Sequence, residues 1–503
     1  MYDCSLSRRI HVIDNVTVAS QTFLILSTIT PELVRQYNHD SNNHTVKVIT
    51  ILPERVKWRV FIEYFHDADH LLFSRENRQH CWSFSKFTPR KTIFQLKKWM
   101  MFSTDTNVSN ILGIETSCDD TGCGIVSTDG KLLGEALFSQ QKLHSELGGI
   151  IPPIAKRLHK EHIEEVVNDA LVSSSMDMSV IDGVAVTVKP GLQLSLAVGV
   201  EYAKKLCSQY EKPLIPIHHM EAHALTIRML EKVDFPFLVL LVSGGHSLIA
   251  VVKSVDKFFL LGKSYDDAPG EALDKIARRL KVFNLEGMEG LSGGKAMEIL
   301  SEKGNYNAFP LGEPLLHQRD CDFSFAGIKN SARQFIVEQE EKYSIEGDQV
   351  LPSVYDLCAS TQFVITKHLC RRIQRAISFC QWSQIIPNDK QSLVVSGGVA
   401  ANKAIKAALW KVCQESGYSL HVPPPHLCTD NGVMIAWNGA ERWIANAGIV
   451  PHGQLASVDF QGKAELGEDI RAEVARASIK CKWVPLNDVF ENISSSGLSQ
   501  GSI

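Results

Sequence analysis

The chain contains no Cys-x-x-Cys pair among its 12 cysteines. That absence removes the zinc ribbons, and scattered cysteines make no secreted disulfide framework, so the thiols point to a reducing compartment. In such a compartment the sequons at Asn15, Asn43, Asn107 and Asn492 are chance matches. Long apolar runs are also missing. The longest, such as Phe235 to Val242, are far too short for a membrane span, and this one holds Pro236. Net charge is small, at −4, so nothing pulls the whole molecule toward nucleic acid, although a local basic patch stays open. Acidic residues are absent from Asn77 to Thr104, where Arg78, Lys86, Arg90, Lys91, Lys97 and Lys98 alternate with Trp82, Phe84, Phe87, Phe94 and Trp99. A basic, aromatic, acid-free stretch is the composition of an organelle transit segment, or of a solvated basic linker. Its distance from Met1 counts against the first reading.

What is present is ordinary globular material, 503 residues with 44% hydrophobic and 21% charged, enough for two or three domains. Residues 1–108 carry no paired glycine turn and read as an extension. Residues 109–232 open on an apolar strand, a polar turn at Thr116 to Asp120 and a second strand, a hairpin whose turn offers hydroxyls and carboxylates. An amphipathic helix is expected from Ile154 to Leu171, a strand from Ile181 to Val188 and a helix from Leu194 to Leu206. Residues 233–446 repeat the plan. Phe235 to Val242, the turn Ser243-Gly244-Gly245-His246 and Leu248 to Val252 again make strand, turn, strand. A long helix near 351–379, a strand at Leu393 to Val395 and a helix from Asn402 to Glu415 follow. Residues 447–503 are expected to close on the first lobe and end in a tail. Two α/β lobes, each begun by a hairpin that presents a polar turn, are the layout of the actin-like ATPase fold, in which the turns face each other across a nucleotide cleft.

The segment His218-His219-Met220-Glu221-Ala222-His223 carries the sharpest chemistry. His219 and His223 stand four apart, on one face of a helix, where one metal ion can take both imidazoles. A zinc protease has its glutamate directly after the first histidine. Here Glu221 comes two positions after His219, rotated by about 200° around the helix and away from such an ion. His218 points elsewhere and reads as structural. The turns Ser243-Gly244-Gly245 and Ser396-Gly397-Gly398 suit close backbone approach to phosphate, or are plain turns.

Seven motifs in order give a resemblance. They are Gly113-Ile114-Glu115-Thr116-Ser117-Cys118-Asp119-Asp120-Thr121, the His219/His223 segment, Val242 to His246, Asp266 to Lys275, Phe323 to Lys329, Ser396 to Asn402, and Cys428-Thr429-Asp430-Asn431-Gly432. From Ile111 to about Asn446 the chain resembles the universal tRNA threonylcarbamoyladenosine synthesis family, formerly described as O-sialoglycoprotein endopeptidases. Cys321 to Phe325 and Met434 to Gly439 look closest to the mitochondrial branch of animals. Leu291-Ser292-Gly293-Gly294 departs from the family's Tyr-Pro-Gly-Gly but keeps the glycines.

The resemblance implies transfer of a threonylcarbamoyl group from threonylcarbamoyl-AMP to N6 of adenosine 37 in tRNAs that read codons starting with A. It implies His219, His223 and Asp430 as ligands of one divalent metal ion per subunit, zinc or iron. It implies Leu241, Val242, Ser243, Gly244 and Gly245 beside the phosphate and acyl group, approached through their backbone. Asp274 and Glu298 are implied ribose carboxylates and Gly294 a backbone contact to the nucleoside. Ala401, Asn402 and Thr429 complete the implied substrate contacts, with Asn402 on the adenine side or capping its helix. Asp119 positions or deprotonates the attacking amine, or orders its turn. Lys329 contacts phosphate or tRNA, and the clusters Lys156-Arg157-Lys160, Arg278-Arg279-Lys281 and Arg371-Arg372-Arg375 track the tRNA backbone or are solvated helix faces. A separate synthase supplying the adenylate, a homodimer, no membrane and a mitochondrial matrix location, with the cytoplasm as alternative, complete the expectation. A metalloprotease and a noncatalytic actin-like scaffold are the competing classes.

Overall fold

The computed structural model describes residues 108–498, together with two short strands, Trp58–Val60 and Phe73–Arg75, which pair antiparallel. The acid-free stretch at 77–104 lies outside the described residues. Residues 108–503 form one compact unit.

The first lobe is a five-stranded sheet. Its strands are β1 (Asn110–Glu115), β2 (Asp120–Ser127), β3 (Leu132–Ser139), β4 (Gly183–Lys189) and β5 (Leu214–His218), in the order β3-β2-β1-β4-β5. The β1/β2 and β2/β3 pairs are antiparallel, while β4 and β5 add in parallel. The second lobe has β6 (Phe237–Val242), β7 (Ser247–Ser254), β8 (Lys257–Lys263), β9 (Ser392–Ser396) and β10 (Ser419–His421), in the order β8-β7-β6-β9-β10, and β11 (Glu468–Asp469) joins beyond β8. Read from the third strand, the two orders are the same. This duplication is the actin-like plan expected from the layout. Strand β6 is buried along its whole length, as the unbroken run Phe-Leu-Val-Leu-Leu-Val requires of a central strand.

Helices α1 (Pro152–Ser174) and α2 (Gln193–Gln209) cover the first sheet. Helix α3 (His219–Leu225) follows β5 directly. The second lobe carries α4 (Pro269–Arg279), α5 (Gly293–Ser301), α6 (Ala326–Tyr343), α7 (Val354–Ser383) and α8 (Lys403–Ser416). Helix α9 (Gly432–Ile444) comes last in that lobe by sequence. Its position corrects the boundary expected at 446, because it lies on the first lobe's sheet. Glycines make this possible. Gly113 and Gly124 pair across β1 and β2, and a Cβ on either would fall within 2.7 Å of the α9 backbone. Helices α3 and α9 share a core with both sheets, through Met220, Ala222, Val433 and Ala436 against Ile111, Ala185, Phe237 and Val239.

The C-terminal segment also departs from its expected course. Val450 bridges Leu214, and Gln461 donates to the carbonyl of Val188, so it first closes on the first lobe. From β11 onward it belongs to the second lobe, where Ile470, Val474 and Leu486 enter that lobe's core. Among the described residues no helix is long and apolar enough to cross a membrane.

Candidate active site

Two short helices and two turns build the site. At the start of α3, His218 caps the helix by accepting from the Met220 amide at 3.2 Å, and its Nε2 donates to the Glu465 carbonyl. This is a structural role. The next residue, His219, then shares one face with His223. At the start of α9, Asn431 caps by accepting from the Met434 amide at 2.8 Å and donates to the Thr429 carbonyl at 2.7 Å. That double clamp sets Asp430 opposite the histidines.

One donor atom from each of His219, His223 and Asp430 lies within 4.8 Å of the others. Asp430 Oδ1 is 3.0 Å from His223 Nε2 and 3.5 Å from His219 Nε2. The imidazole rings meet edge to face, with centroids 4.7 Å apart. On its other side His219 Nδ1 is 3.1 Å from Glu115 Oε2 and 3.1 Å from Ser117 Oγ. Burial disfavours a charged His219, but Asp430 and Glu115 outweigh it and push the imidazole up to about 9. Burial likewise opposes the charge on Asp430, and the two histidines override it, holding that carboxyl below its ordinary range. Two imidazoles and a carboxylate converging in this way fit a divalent ion with coordination positions left over.

The second glycine turn reaches the same place. The His246 ring lies 6.4 Å from that of His219, and burial pushes its imidazole down to about 4, so it is neutral. Ser243 Oγ accepts from the Gly245 and His246 amides, and its carbonyl accepts from Gly270 at the start of α4. Gly244 and Gly245 are exposed, and a Cβ on either would meet open space. Leu241 and Val242 belong to a different environment. Their side chains are core, Leu241 pairs with both β7 and β9 while Val242 pairs with β7, and the carbonyl of Val242 packs on Gly397. Of the five expected backbone contacts, Ser243, Gly244 and Gly245 lie in the turn itself.

The nucleoside candidates gather between α4, α5 and α8. Asp274 Oδ1 accepts from the Gly294 amide at 3.1 Å, which ties the two together. Glu298 is buried, with Oε1 on the Lys403 amide at 2.8 Å and Oε2 on Lys295. Asn402 adjoins Lys403, and most of its side-chain hydrogen bonds are made inside the protein. Its Oδ1 accepts from Ala404 and Ile405, and its Nδ2 donates to Gln362 Oε1 at 2.9 Å. Its oxygen therefore caps α8, and one Nδ2 hydrogen is left without a partner among the described residues. Ala401 and Thr429 are exposed.

In the first hairpin turn, Asp119 is partly exposed, and its carbonyl accepts from Gln140. Asp120, the next residue in the turn, is a perturbed carboxyl. Burial first, then Asp119, Asp430 and Glu115, push it up to about 7 against a hydrogen bond from Ser139. Its Oδ1 has no hydrogen-bond partner among the described residues. The turn is braced by His159 on α1, 2.7 Å from Thr121 Oγ1 and 3.0 Å from the Cys118 carbonyl.

Several basic candidates are committed elsewhere. Lys329 pairs with Asp267. Arg279 and Lys281 hold Glu340, and Arg371 holds Glu313. Arg372 and Arg375 are buried and donate to the carbonyl of Gln318. Lys156, Arg157 and Lys160 remain exposed on α1. Glu221 points away from the cluster to Arg442 Nη2, 2.6 Å distant, and so is not placed to act on a metal-bound water.

A duplicated α/β fold with a His/His/Asp cluster beside an open glycine turn fits a metal-assisted enzyme built on the actin-like plan. Residues 131–437 match the family model described as tRNA N6-adenosine threonylcarbamoyltransferase, and the chain belongs to that family. It is 49% identical over 376 residues to the Xenopus tropicalis protein named tRNA N6-adenosine threonylcarbamoyltransferase, mitochondrial, covering 75% of this chain and 92% of that one. The Homo sapiens protein of the same name is 48% identical over 74% of this chain and 89% of its own. A Rhizobium leguminosarum tRNA N6-adenosine threonylcarbamoyltransferase is 37% identical over 72% and 95%.

Proposed function

We propose that this chain transfers the threonylcarbamoyl group from threonylcarbamoyl-AMP to N6 of adenosine 37 in mitochondrial tRNAs that read codons starting with A. The observation that carries the reading is the convergence of His219, His223 and Asp430 beside the open turn Ser243-Gly244-Gly245. In this proposal the three side chains hold one divalent ion, zinc or iron, which when bound polarises the carbamoyl carbonyl as a Lewis acid. Amides of the glycine turn receive the phosphate and stabilise charge on the departing AMP. Asp274, Glu298 and Gly294 line the nucleoside side.

The chemistry balances simply. N6 attacks the carbamoyl carbon, a C–N bond forms, and the bond from that carbon to the phosphate oxygen breaks. AMP leaves with the electron pair, and one N6 proton passes to a base. N6 is a poor nucleophile because its lone pair is delocalised into the ring, so positioning contributes heavily. Asp119 is proposed to position or deprotonate it. A second reading assigns the proton to Asp120, whose elevated pKa and an Oδ1 unpartnered among the described residues favour exchange near neutral pH. Lys156, Arg157 and Lys160, exposed on α1, are proposed to track the tRNA backbone. A separate synthase supplies the adenylate, and the working form is a homodimer.

The test is reconstitution. The purified chain is mixed with tRNA transcript, threonine, bicarbonate, ATP and the enzyme that makes the adenylate, and nucleosides are analysed by mass spectrometry. Threonylcarbamoyladenosine that forms only when this chain is present supports the reading. Peptide cleavage without tRNA modification would overturn it. For the location, a tagged full-length chain is expected in mitochondria, and a purely cytosolic signal would contradict it.

A further inference from the structure

Glu115 ends the apolar strand β1, yet its side chain is fully buried. A buried carboxylate is strongly unfavourable unless donors meet it. Three do. His219 Nδ1 lies 3.1 Å from Oε2, the Thr187 hydroxyl donates to Oε2 at 2.6 Å, and the Ser117 amide donates to Oε1. The acceptor and its two other donors all come from the first lobe, from β1, its turn and the neighbouring β4. The second histidine has no such support. His223 Nδ1 is buried with no hydrogen-bond partner among the described residues. The pair is therefore asymmetric, one ring held from behind and the other held only by packing and by Asp430.

We propose that Glu115 is a positioning residue of the metal centre, fixing the tautomer and plane of His219 so that Nε2 faces Asp430. A carboxylate behind Nδ1 keeps the proton on Nδ1 and leaves the Nε2 lone pair for an ion. Its charge also makes the imidazole a stronger donor and brings a second negative charge toward the cluster. Glu115 touches neither the ion nor the substrate in this role. The inference rests on the metal reading proposed above, for which His223→Ala serves as the reference.

The experiment uses the full-length chain, with zinc as the probe, in competition against a chromophoric chelator. Glu115→Gln is nearly isosteric but offers one acceptor oxygen to three donors, so its amide group must oppose one of them. Zinc affinity is expected to fall about 10–100-fold, the range typical of lost outer-shell carboxylates. A purely structural Glu115 would lower the melting temperature of the metal-free protein and leave zinc affinity of the folded protein unchanged. Should Glu115→Gln fail to fold, Thr187→Val carries the test. It removes one donor from Oε2 and keeps the charge, and a loss smaller than that of Glu115→Gln is expected. Zinc affinity equal to the parent's in whichever variant folds overturns the proposal. Retained affinity in His223→Ala would instead sink the metal reading itself.

Discussion

Replacing Gly432 by alanine tests how the site is assembled. A Cβ there would lie 2.2 Å from the carbonyl carbon of Cys123, 2.4 Å from its Cα and 2.4 Å from the Gly124 nitrogen. All three are backbone atoms in the middle of the first sheet, so no side chain can swing away. Ordinary contact begins near 3.4 Å. Helix α9 must therefore recede by about 1 Å, and Asp430, two residues before Gly432, moves with it. Overpacking of this kind costs about 1–3 kcal/mol. Contact with rigid backbone places the variant at the upper end, and the better helix propensity of alanine returns at most about 1 kcal/mol. A net loss of about 2 kcal/mol is expected, lowering the melting temperature by a few degrees. Activity should suffer more, since about 1 Å of misplacement at a reacting centre costs on the order of 10²-fold. The assays are a thermal melt and the tRNA-modification kcat/KM. Gly327→Ala is the control, a helical glycine whose added Cβ meets nothing within 4 Å, and it should be neutral or slightly stabilising. An unshifted melt with parental activity in Gly432→Ala would refute the claim that close packing of α9 on β1 and β2 sets Asp430.

Four further outcomes follow from the geometry. His219→Ala or His223→Ala should abolish metal content and tRNA modification while the circular dichroism spectrum is preserved, and full metal occupancy in the double variant would refute the assignment. Asn402→Ala should cost about 1 kcal/mol as a lost helix cap and leave the KM for threonylcarbamoyl-AMP near parental; a large KM change would restore the direct adenine contact. Glu221→Ala leaves Arg442 unpaired in a nearly buried site, which should lower the melting temperature by several degrees; zinc affinity should hold, and its loss would revive the protease-like reading. The last concerns pH. His219 is raised from 6.5 to about 9 in the metal-free protein, so its contribution to stability is fully present below pH 6.5 and is lost as pH rises through 9. Over that window metal-free protein should become less stable while zinc affinity rises by up to about tenfold per pH unit, and a flat zinc profile would refute it.

Much of this protein was written in its sequence at short range. Alternating strand, polar turn and strand announced both hairpins, and the helices at 152–174, 193–209, 354–383 and 403–416 fell within a few residues of the spans their periodicity indicated. The i, i+4 spacing of His219 and His223 survives because α3 is one continuous helix with a capped start. What sequence could not decide was any relation between distant segments. That α9 crosses to the first lobe depends on glycines in β1, β2 and α9 meeting across some 300 residues of chain, and no local pattern reports such a meeting. The same holds for Glu115. The sequence shows it only as one residue of a motif, and folding alone brought His219 and Thr187 to it. Asn402 and Leu241 show the converse, residues in the right motif that folding also employs, the one to cap α8 and the other to pair in the sheet. Local propensity and spacing fix elements and candidate chemistry, whereas burial and hydrogen-bond satisfaction, which are properties of the packed molecule, decide which candidates remain available to a ligand.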